Sequence, residues 1–344
     1  MAHPRPLIRA LALAVVIHAG ACGGSSTDGP TTPAPGDPET ACAVGDAAAC
    51  LETGRAYETG DGVPQDQARA NTLYERACEG GEVRGCTALG ASYYAGRGVT
   101  TDPARARELF GRACDGGDAF GCYNLGVLIA RPLGGGTPDQ ARARQLFERA
   151  CEADVVAACS NLGLMLSQGI GGDADPARAQ EYFRRGCEGD DPRACHNLAS
   201  ALEPNEAEAA RAAQLYERAC TSGVAASCLS RGHMFEEGRG GPQDLARAQA
   251  IYAGLCEQGD GDGCVSLGSL YSSGSGVAQD HARAVQLYEQ GCEAGAAGGC
   301  FNLAASFASG VGVGRDRPRA RALFERACEL GDERACRVVQ QPER

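Results

Sequence analysis

The sequence contains no lysine: all 32 of its cationic side chains are arginines, set against 44 aspartates and glutamates, and the net charge is −12. The arginines are interleaved with the acids rather than gathered into a basic stripe. A nucleic-acid-binding protein needs a cationic surface that displaces counterions from phosphate. Adhesion through charge to an anionic membrane surface needs the same kind of patch. The composition therefore disfavours both classes.

The sequence also lacks the residues that several known catalytic mechanisms require. The serine acylation motifs Ser-x-x-Lys and Lys-Thr-Gly require lysine, and the hydrolase elbow Gly-x-Ser-x-Gly is absent. Beyond residue 41 the only histidines are His196, His233 and His281, and no His-Glu-x-x-His motif is present to bind a metal. These absences do not exclude an enzyme, but the sequence does not contain the residue set of a known catalytic mechanism. We predict no catalytic residue, metal or cofactor.

The N-terminus has the features of an export signal. Arg5 and Arg9 lie beside a short apolar run, and His18-Ala-Gly-Ala-Cys22 follows as a small-residue cleavage site. The run of about eight apolar residues is too short for a bilayer, which needs about 20. We predict a signal peptide over residues 1–21.

A cysteine directly after this site resembles the lipobox of bacterial lipoproteins, although Ala19 stands where that family usually has leucine. The resemblance implies that Cys22 is lipidated. Gly23 as the next residue implies the outer membrane, because aspartate there is the usual inner-membrane retention mark. The alternative is cleavage after Ala21 with a free Cys22, which predicts a periplasmic or secreted protein.

The other eighteen cysteines form nine pairs, each with members eight residues apart. The pairs are Cys42/Cys50, Cys78/Cys86, Cys114/Cys122, Cys151/Cys159, Cys187/Cys195, Cys220/Cys228, Cys256/Cys264, Cys292/Cys300 and Cys328/Cys336. An even set at constant spacing in an exported chain predicts a disulfide framework. Structural zinc sites bring cysteines about two to four residues apart, in fours or with histidine, and this pattern is absent.

The chain divides into a tether and one repetitive array. Residues 22–41 are rich in Gly, Ser, Thr and Pro, which predicts a flexible, partly extended tether. From Cys42 onward the first cysteines of successive pairs recur every 33 to 37 residues. We predict an array of about eight repeats over residues 42–337 and a C-terminal tail over 338–344.

The residues before each first cysteine have helical spacing. In all eight units an aromatic residue lies four residues before it and an alanine eight residues before it, as Tyr74 and Ala70 do before Cys78. Offsets of four place these side chains on one helical face. An arginine always lies nine residues before it, from Arg69 to Arg319. We interpret its long stem as a cover over the apolar face, with its charged head in water.

The second cysteine of each pair opens another helix, in which a Leu-Gly dipeptide recurs, and Gly-x-Gly then ends this helix. Because Gly-x-Gly follows a helix and lacks a third glycine, it does not predict phosphate binding. Asp102-Pro103 and Asp175-Pro176 have the features of a helix start. Each unit is therefore predicted to be a helix, a short loop and a longer helix. The fold class is all-α, an α-solenoid of helix-turn-helix repeats with one disulfide per repeat.

The consensus Cys-x-x-Leu-Gly-x-x-Tyr-x-x-Gly-x-Gly-Val…Asp-x-x-Arg-Ala-x-x-Leu-Tyr/Phe-x-x-Ala-Cys-x-x-Gly closely resembles Sel1-like repeats, which are relatives of tetratricopeptide repeats. The paired cysteines resemble the cysteine-rich secreted bacterial members of that family. Two units depart from the pattern: one turns at Glu203-Pro204-Asn205 without Gly-x-Gly, and another has an extra residue around Gly134-Gly135-Gly136. Both departures are predicted to leave the helices intact.

The resemblance implies two kinds of function. Most Sel1-like proteins resemble adaptors that hold partner proteins on a concave surface. Some cysteine-rich members carry the label of penicillin-binding protein or slow β-lactamase, and this activity is the alternative function for the present chain. Acidic residues such as Glu75, Glu148 and Glu217 recur beside arginine, and we interpret them as a solvated helix face rather than as catalytic carboxylates.

A binding surface is predicted two residues after each helix-opening cysteine. This position holds Glu52, Ala88, Asn124, Asn161, Asn197, Ser230, Ser266 and Asn302. The last six are the candidate binding residues, because stacked repeats would align them in a polar row on the concave face that the resemblance implies. An asparagine amide both donates and accepts, which suits an extended peptide backbone or a carboxylate. The other interpretation is that these amides bond to the backbone of the neighbouring repeat.

The sequence therefore predicts an exported, lipid-anchored interaction scaffold of the cell envelope. Its partners would be envelope or extracellular proteins or peptides, with no nucleic acid and with membrane contact only through the lipid. Binding would be sensitive to replacement of Asn124, Asn161 and Asn197.

Overall fold

The structure is a computed structural model that describes residues 38–132 and 137–340. Four predictions lie wholly or partly outside the described residues. They are the signal peptide with Cys22, the tether up to residue 37, the insertion at Gly134-Gly135-Gly136, and the last four residues of the tail. Within the described ranges the chain is helical and has no β-strand.

The chain divides into two compact units, one ending at Asp191 and the other beginning at Pro192. The first unit contains α1 (Pro38–Ala43), α2 (Ala47–Thr59), α3 (Gln67–Glu79), α4 (Val83–Ala95), α5 (Pro103–Asp115), α6 (Ala119–Ala130), α7 (Gln140–Glu152), α8 (Val156–Gln168) and α9 (Pro176–Glu188). The second contains α10 (Pro192–Leu202), a 3₁₀-helix (Glu206–Glu208), α11 (Ala209–Thr221), α12 (Ala225–Glu237), α13 (Leu245–Glu257), α14 (Gly261–Ser273), α15 (His281–Glu293), α16 (Ala297–Ser309), α17 (Arg317–Glu329) and α18 (Glu333–Val339).

Within each unit every helix packs against the next one in the chain, and the predicted all-α solenoid of helix-turn-helix repeats is confirmed. We call the even-numbered helices α2 to α16, which carry the second cysteine of a pair, the A helices. The odd-numbered helices α3 to α17, which carry the first cysteine of the next pair, are the B helices. The prediction of a longer second helix was wrong: α4 and α5 have 13 residues each. The A helix gains length because it starts at Val83, three residues before its cysteine.

Aspartate starts most of the B helices. The Asp102 carboxylate accepts hydrogen bonds from two backbone N–H groups of α5, and Asp175 accepts one from Arg178 of α9, as the sequence predicted. At the other end of an A helix, Gly96 takes the left-handed conformation with φ of 71°. Gly98 has φ of 66°, and a Cβ there would lie 2.6 Å from the backbone of Gln67. The Gly-x-Gly motif is therefore needed both for the turn and for close contact with the preceding B helix.

The glycine of each Leu-Gly dipeptide faces the recurrent aromatic ring of the following B helix. A Cβ on Gly163 would lie 2.7 Å from two ring carbons of Phe183, and one on Gly90 would lie 2.8 Å from the Phe110 ring. Phe110 is fully buried. Absence of a side chain thus lets an aromatic ring pack directly on helix backbone, which explains the recurrence of this glycine.

Eight of the predicted cysteine pairs are disulfide bonded, with Cα–Cα distances from 4.4 Å to 4.8 Å. These bridges are Cys42–Cys50, Cys78–Cys86, Cys114–Cys122, Cys151–Cys159, Cys220–Cys228, Cys256–Cys264, Cys292–Cys300 and Cys328–Cys336. The ninth predicted pair, Cys187 and Cys195, falls at the division between the two units. Each of the eight bridges spans the turn between one helix and the next A helix or, at the C-terminal end, α18. In the turn of the Cys78–Cys86 bridge, Gly81 has φ of 93°, the left-handed conformation that the sequence predicted.

The second sulfur of several bridges also contacts a backbone carbonyl, which the sequence did not predict. The Sγ atom lies 3.6 Å to 3.8 Å from the carbonyl oxygen of its own bridge partner in Cys50, Cys122, Cys159, Cys300 and Cys336. A bridged sulfur has lost the S–H proton that a thiol would donate. These contacts are therefore close packing rather than hydrogen bonds. The role predicted for these cysteines was the bridge alone, and the structure adds that their sulfurs pack on the end of the preceding helix.

The second cysteines of the bridges differ in burial. Cys50, Cys122 and Cys159 are at most 2% exposed, whereas Cys336 is only partly buried. Cys336 lies in α18, the last described helix, so no described helix follows to cover it. The bridges Cys42–Cys50, Cys114–Cys122 and Cys151–Cys159 are thus part of the apolar core as well as covalent links, whereas Cys220 and Cys228 are partly exposed within the array.

The ends of the array differ from the predicted boundaries. Residues 38–41, assigned to the tether, form helix α1 together with Cys42 and Ala43. Glu39 of this helix forms an ion pair with Arg69 and accepts a hydrogen bond from the Tyr57 hydroxyl, which holds this segment on the first repeat. At the other end, α18 continues through Val339, two residues into the predicted tail.

The repeat that turns at Glu203-Pro204-Asn205 keeps both of its helices, as predicted. Its A helix, α10, ends early at Leu202, and the 3₁₀-helix replaces the Gly-x-Gly turn. Glu203 is 4% exposed and accepts hydrogen bonds from the Tyr216 hydroxyl and from Arg239. These contacts supply the partners that a buried carboxylate requires.

Candidate binding site

The predicted polar row begins in the first unit with two buried asparagines. Asn124 of α6 is 0% exposed and Asn161 of α8 is 2% exposed, and Asn197 of α10, in the second unit, is 9% exposed. The Nδ2 donor of Asn161 has no hydrogen-bond acceptor. A peptide lying on the surface of these helices would not contact the three amides directly. Their predicted sensitivity to mutation would then arise from packing rather than from ligand contact.

The remaining members of the row, Ser230, Ser266 and Asn302, are partly exposed. They lie on three successive A helices of the second unit, α12, α14 and α16. The helices are neighbours, because α14 contacts α16 and a His233 ring nitrogen of α12 lies 3.3 Å from the Ser266 hydroxyl oxygen of α14. We call Ser230, Ser266 and Asn302 the exposed polar row. Whether it binds a ligand stays a prediction.

The residue before this position links successive A helices. The Thr87 hydroxyl of α4 donates to Asp118, which also caps the start of α6. In the second unit, His196 Nδ1 lies 2.8 Å from the Ser227 hydroxyl of α12. Burial lowers the pKa of His196, so its ring is neutral at physiological pH and serves as a packed hydrogen-bonding group. These two contacts therefore support the packing of successive A helices.

At four positions the recurrent arginine of a B helix forms an ion pair with a glutamate of the preceding B helix or, at the first position, of α1. Arg319 of α17 lies 3.0 Å from Glu289 of α15 and places its guanidinium 4.4 Å from the centre of the Phe307 ring. The same glutamate-to-arginine pairing joins Glu39 to Arg69, Glu75 to Arg105 and Glu148 to Arg178. The arginine side chain therefore covers an apolar face, as predicted, and its guanidinium is ion-paired as well as solvated. We call these contacts the arginine–glutamate ladder.

Sequence reasoning missed one arginine, Arg231 of α12. The third position after the second cysteine holds leucine in six of the eight A helices. Those leucines are Leu89, Leu125, Leu162, Leu198, Leu267 and Leu303. Arg231 replaces this core leucine, and its side chain is only 15% exposed. The break in the Leu-Gly pattern was the signal that could have identified it.

Arg231 lies in a cleft of about 870 Å³ between α11, α12 and α13. Its lining includes Ala213, Glu217, Phe235, Arg247 and Ile251. Because this cleft is built entirely within the second unit, its geometry does not depend on the first.

In the described parts of the chain, no three His, Cys, Asp or Glu side chains converge in a way that could hold a metal ion. Nor is any helix of residues 38–132 and 137–340 both long and apolar enough to span a membrane.

The Sel1 repeat model matches the chain in eight consecutive segments: residues 47–82, 83–118, 119–155, 156–191, 192–224, 225–260, 261–295 and 297–332. Each segment contains one A helix and one B helix with the packing described above. The chain therefore belongs to the Sel1 repeat family. No curated protein sequence matches it.

The solved structures that are similar to this chain include the following two. One is a protective antigen of uropathogenic Escherichia coli with an SLR fold: identity is 27%, the TM-score is 0.72, and the match covers 88% of this chain and 65% of that one. The chain thus matches just under two thirds of that antigen's length. The other is a Sel1 repeat protein from Oxalobacter formigenes, at 24% identity with a TM-score of 0.65 and coverage of 88% of both chains. Nothing in the described residues or in these similarities supports the β-lactamase alternative.

Proposed function

We propose that this protein is an exported interaction scaffold that binds extended segments of envelope or extracellular proteins along the exposed polar row. Sel1 repeats typically serve protein interaction, and disulfides persist in oxidising compartments outside the cytosol. The observation that carries the proposal is the alignment of Ser230, Ser266 and Asn302 on three neighbouring A helices, each partly exposed. Their hydroxyl and amide groups can donate to and accept from a peptide backbone.

The rigidity of the surface supports this function. Bridges Cys220–Cys228, Cys256–Cys264 and Cys292–Cys300 each fix a turn beside one of the three A helices. A surface that is already ordered loses less conformational entropy when it binds a flexible segment. The entropy cost of binding then falls mainly on ordering the partner.

Site-specific photo-crosslinking in intact cells tests the proposal. A photoreactive amino acid would replace Ser266 of the exposed polar row or, as the control, Ala322, an exposed residue of B helix α17. We expect defined protein adducts from position 266 that weaken when Ser230 and Asn302 are both replaced by alanine. Equal adduct patterns from the two positions, or none from position 266, would refute a binding role for the row.

The anchor is proposed on the N-terminal sequence alone. We propose that residues 1–21 are removed as a signal peptide, that Cys22 is lipidated for the outer membrane, and that the following residues act as a tether. Metabolic labelling with a palmitate analogue should mark the wild-type protein and leave Cys22→Ser unmarked. Label that persists in Cys22→Ser, or is absent from the wild type, contradicts the anchor and favours a periplasmic or secreted protein.

A further inference from the structure

Glu217 occupies a glutamate position of the arginine–glutamate ladder but does not pair with the arginine of the next B helix. At the four intact positions, a glutamate of one B helix, or of α1 at the first position, pairs with the arginine of the next B helix. Arg247 of α13 is the arginine that matches Glu217 of α11 in this register. Glu217 instead contacts Arg231 of α12, with 3.3 Å between Oε2 and Nε. Arg247 contacts its own helix cap, Asp244, at 3.2 Å, and its side chain is 69% exposed.

The two arginines share one aromatic ring. The Arg231 guanidinium carbon lies 3.5 Å from the centre of the Phe235 ring, and that of Arg247 lies 5.4 Å from it. A ring face attracts a cation, and this attraction holds two like charges close together. Burial lowers the pKa of Arg231, the Arg247 charge lowers it further, and Glu217 opposes the shift. Because an arginine stays protonated in proteins, both cations are present at neutral pH.

The cleft around this pair has an excess of positive charge in a strongly acidic protein. Its lining includes three arginines and one glutamate, whereas the whole chain carries −12. The rest of the wall is largely apolar and includes Ala210, Ala213, Ala250 and Ile251. A guanidinium presents a planar pair of donors that matches a carboxylate. Low polarity around the Arg231 side chain, which is 15% exposed, strengthens such a contact.

The corresponding cleft of the next repeat can be compared with the cleft around Arg231. The corresponding cleft beside α14 is about half as large, at 450 Å³, and its lining has Leu267 at the position of Arg231 and Ala253 at that of Glu217. Only one arginine, Arg283, lines it. The cleft around Arg231 is therefore larger and carries more arginines than the corresponding cleft of the next repeat.

We propose that this cleft is a binding site for a carboxylate of a partner peptide, held between Arg231 and Arg247, with an adjacent apolar side chain against Ala213 and Ile251. The occupant is an acidic peptide segment, because the donors suit a carboxylate and the wall suits a hydrocarbon side chain. The site shares no residue with the exposed polar row. It deepens the proposed scaffold function and rests on it, since it names the chemistry of a partner.

Fluorescence anisotropy of the full mature, oxidised chain tests the site. The probe is the peptide Gly-Leu-Glu-Leu-Glu-Leu with a neutral dye at its N-terminus. Arg231→Leu restores the leucine that six other A helices carry and should fold, and Arg247→Gln changes an exposed side chain. Each should weaken binding by about tenfold, the effect of losing one charge-assisted contact. Glu217→Gln should tighten binding, because it removes the internal competitor for Arg231.

Arg319→Gln, in an intact part of the ladder, is the matched control and should leave the affinity unchanged. A C-terminal amide on the probe and a Glu-to-Gln probe separate a terminal carboxylate from side-chain carboxylates as the bound group.

Unchanged affinity in Arg231→Leu, with a native circular dichroism spectrum, overturns the proposal. So does displacement of the probe by inorganic phosphate at lower concentrations than by acetate, which would assign the cleft to a phosphorylated ligand. Wild-type protein that binds no probe yet forms adducts from position 266 refutes only the cleft, whereas loss of both results refutes the scaffold function too.

Discussion

Replacing Gly163 with alanine tests whether the glycine of the Leu-Gly dipeptide is required for packing. The added Cβ would lie 2.7 Å from two carbons of the Phe183 ring and 3.2 Å from the Ala179 carbonyl oxygen. Phe183 is 3% exposed, so its ring has no open space into which it can move. Overpacking of this kind costs about 1–3 kcal/mol. The higher helix propensity of alanine offsets up to about 1 kcal/mol of this cost. We expect a net loss of about 1–2 kcal/mol in the free energy of unfolding.

Gly111→Ala is the matched control, because Gly111 also lies within a 13-residue helix but a Cβ there would meet nothing within 4 Å. This variant should gain about 0.5–1 kcal/mol. Urea denaturation of the oxidised proteins, followed by circular dichroism, measures both changes. If Gly163→Ala were stabilised by the same amount as Gly111→Ala, the ring would not be packed on the helix backbone as described. Ala199 and Ala304 occupy the equivalent position in two other repeats, so the requirement depends on local helix separation.

Three further predictions concern stability. The double replacement Cys78→Ser/Cys86→Ser should lower the free energy of unfolding by about 2–3 kcal/mol, because it frees a nine-residue loop; urea denaturation that showed no loss would contradict a stabilising role. Burial raises the pKa of the Tyr252 hydroxyl, which donates to Glu236 at 3.0 Å, so folding favours the protonated form. The contribution of this group to the free energy of unfolding should be constant below about pH 9 and fall as the pH rises above about 10, the pKa of tyrosine in the unfolded chain. The fall in the free energy of unfolding should be smaller in Tyr252→Phe. Asp280→Ala should cost about 1 kcal/mol, since the Asp280 carboxylate accepts from the Arg283 N–H at the start of α15, whereas Asp280→Asn should retain most of that stability.

The repeat was readable from the sequence because its signals are local. A cysteine, an aromatic residue and an alanine at offsets of four lie on one helical face in any helix. Aspartate before a helix and glycine after it satisfy backbone groups of that same helix. The eight bridges between cysteines eight residues apart also join neighbours in the chain. Such features recur in each unit, so one chain supplied several independent observations of the same pattern.

The length of the A helices and the ends of the array were predicted less well. Val83 and the residues next to it lack strong helical periodicity, and only the Glu82 cap and the packed B helix fix the start of α4. Residues 38–41 have a linker-like composition, but the contacts of Glu39 with Tyr57 and Arg69 hold them as helix α1. Tertiary contacts decide such boundaries, and a local pattern does not contain them.

The sequence by itself determined the family, the helix pairs, the bridges and the position of the polar row. Only the tertiary structure decided which members of that row a ligand could reach, because the exposure of Asn124 or Ser266 depends on the neighbouring helices that cover it. The same holds for the cationic cleft. Arg231, Glu217 and Arg247 lie on three different helices, and their contact depends on how those helices pack. Spacing along the chain predicts which residues share a helix face, whereas burial and charge pairing between faces are properties of the packed array.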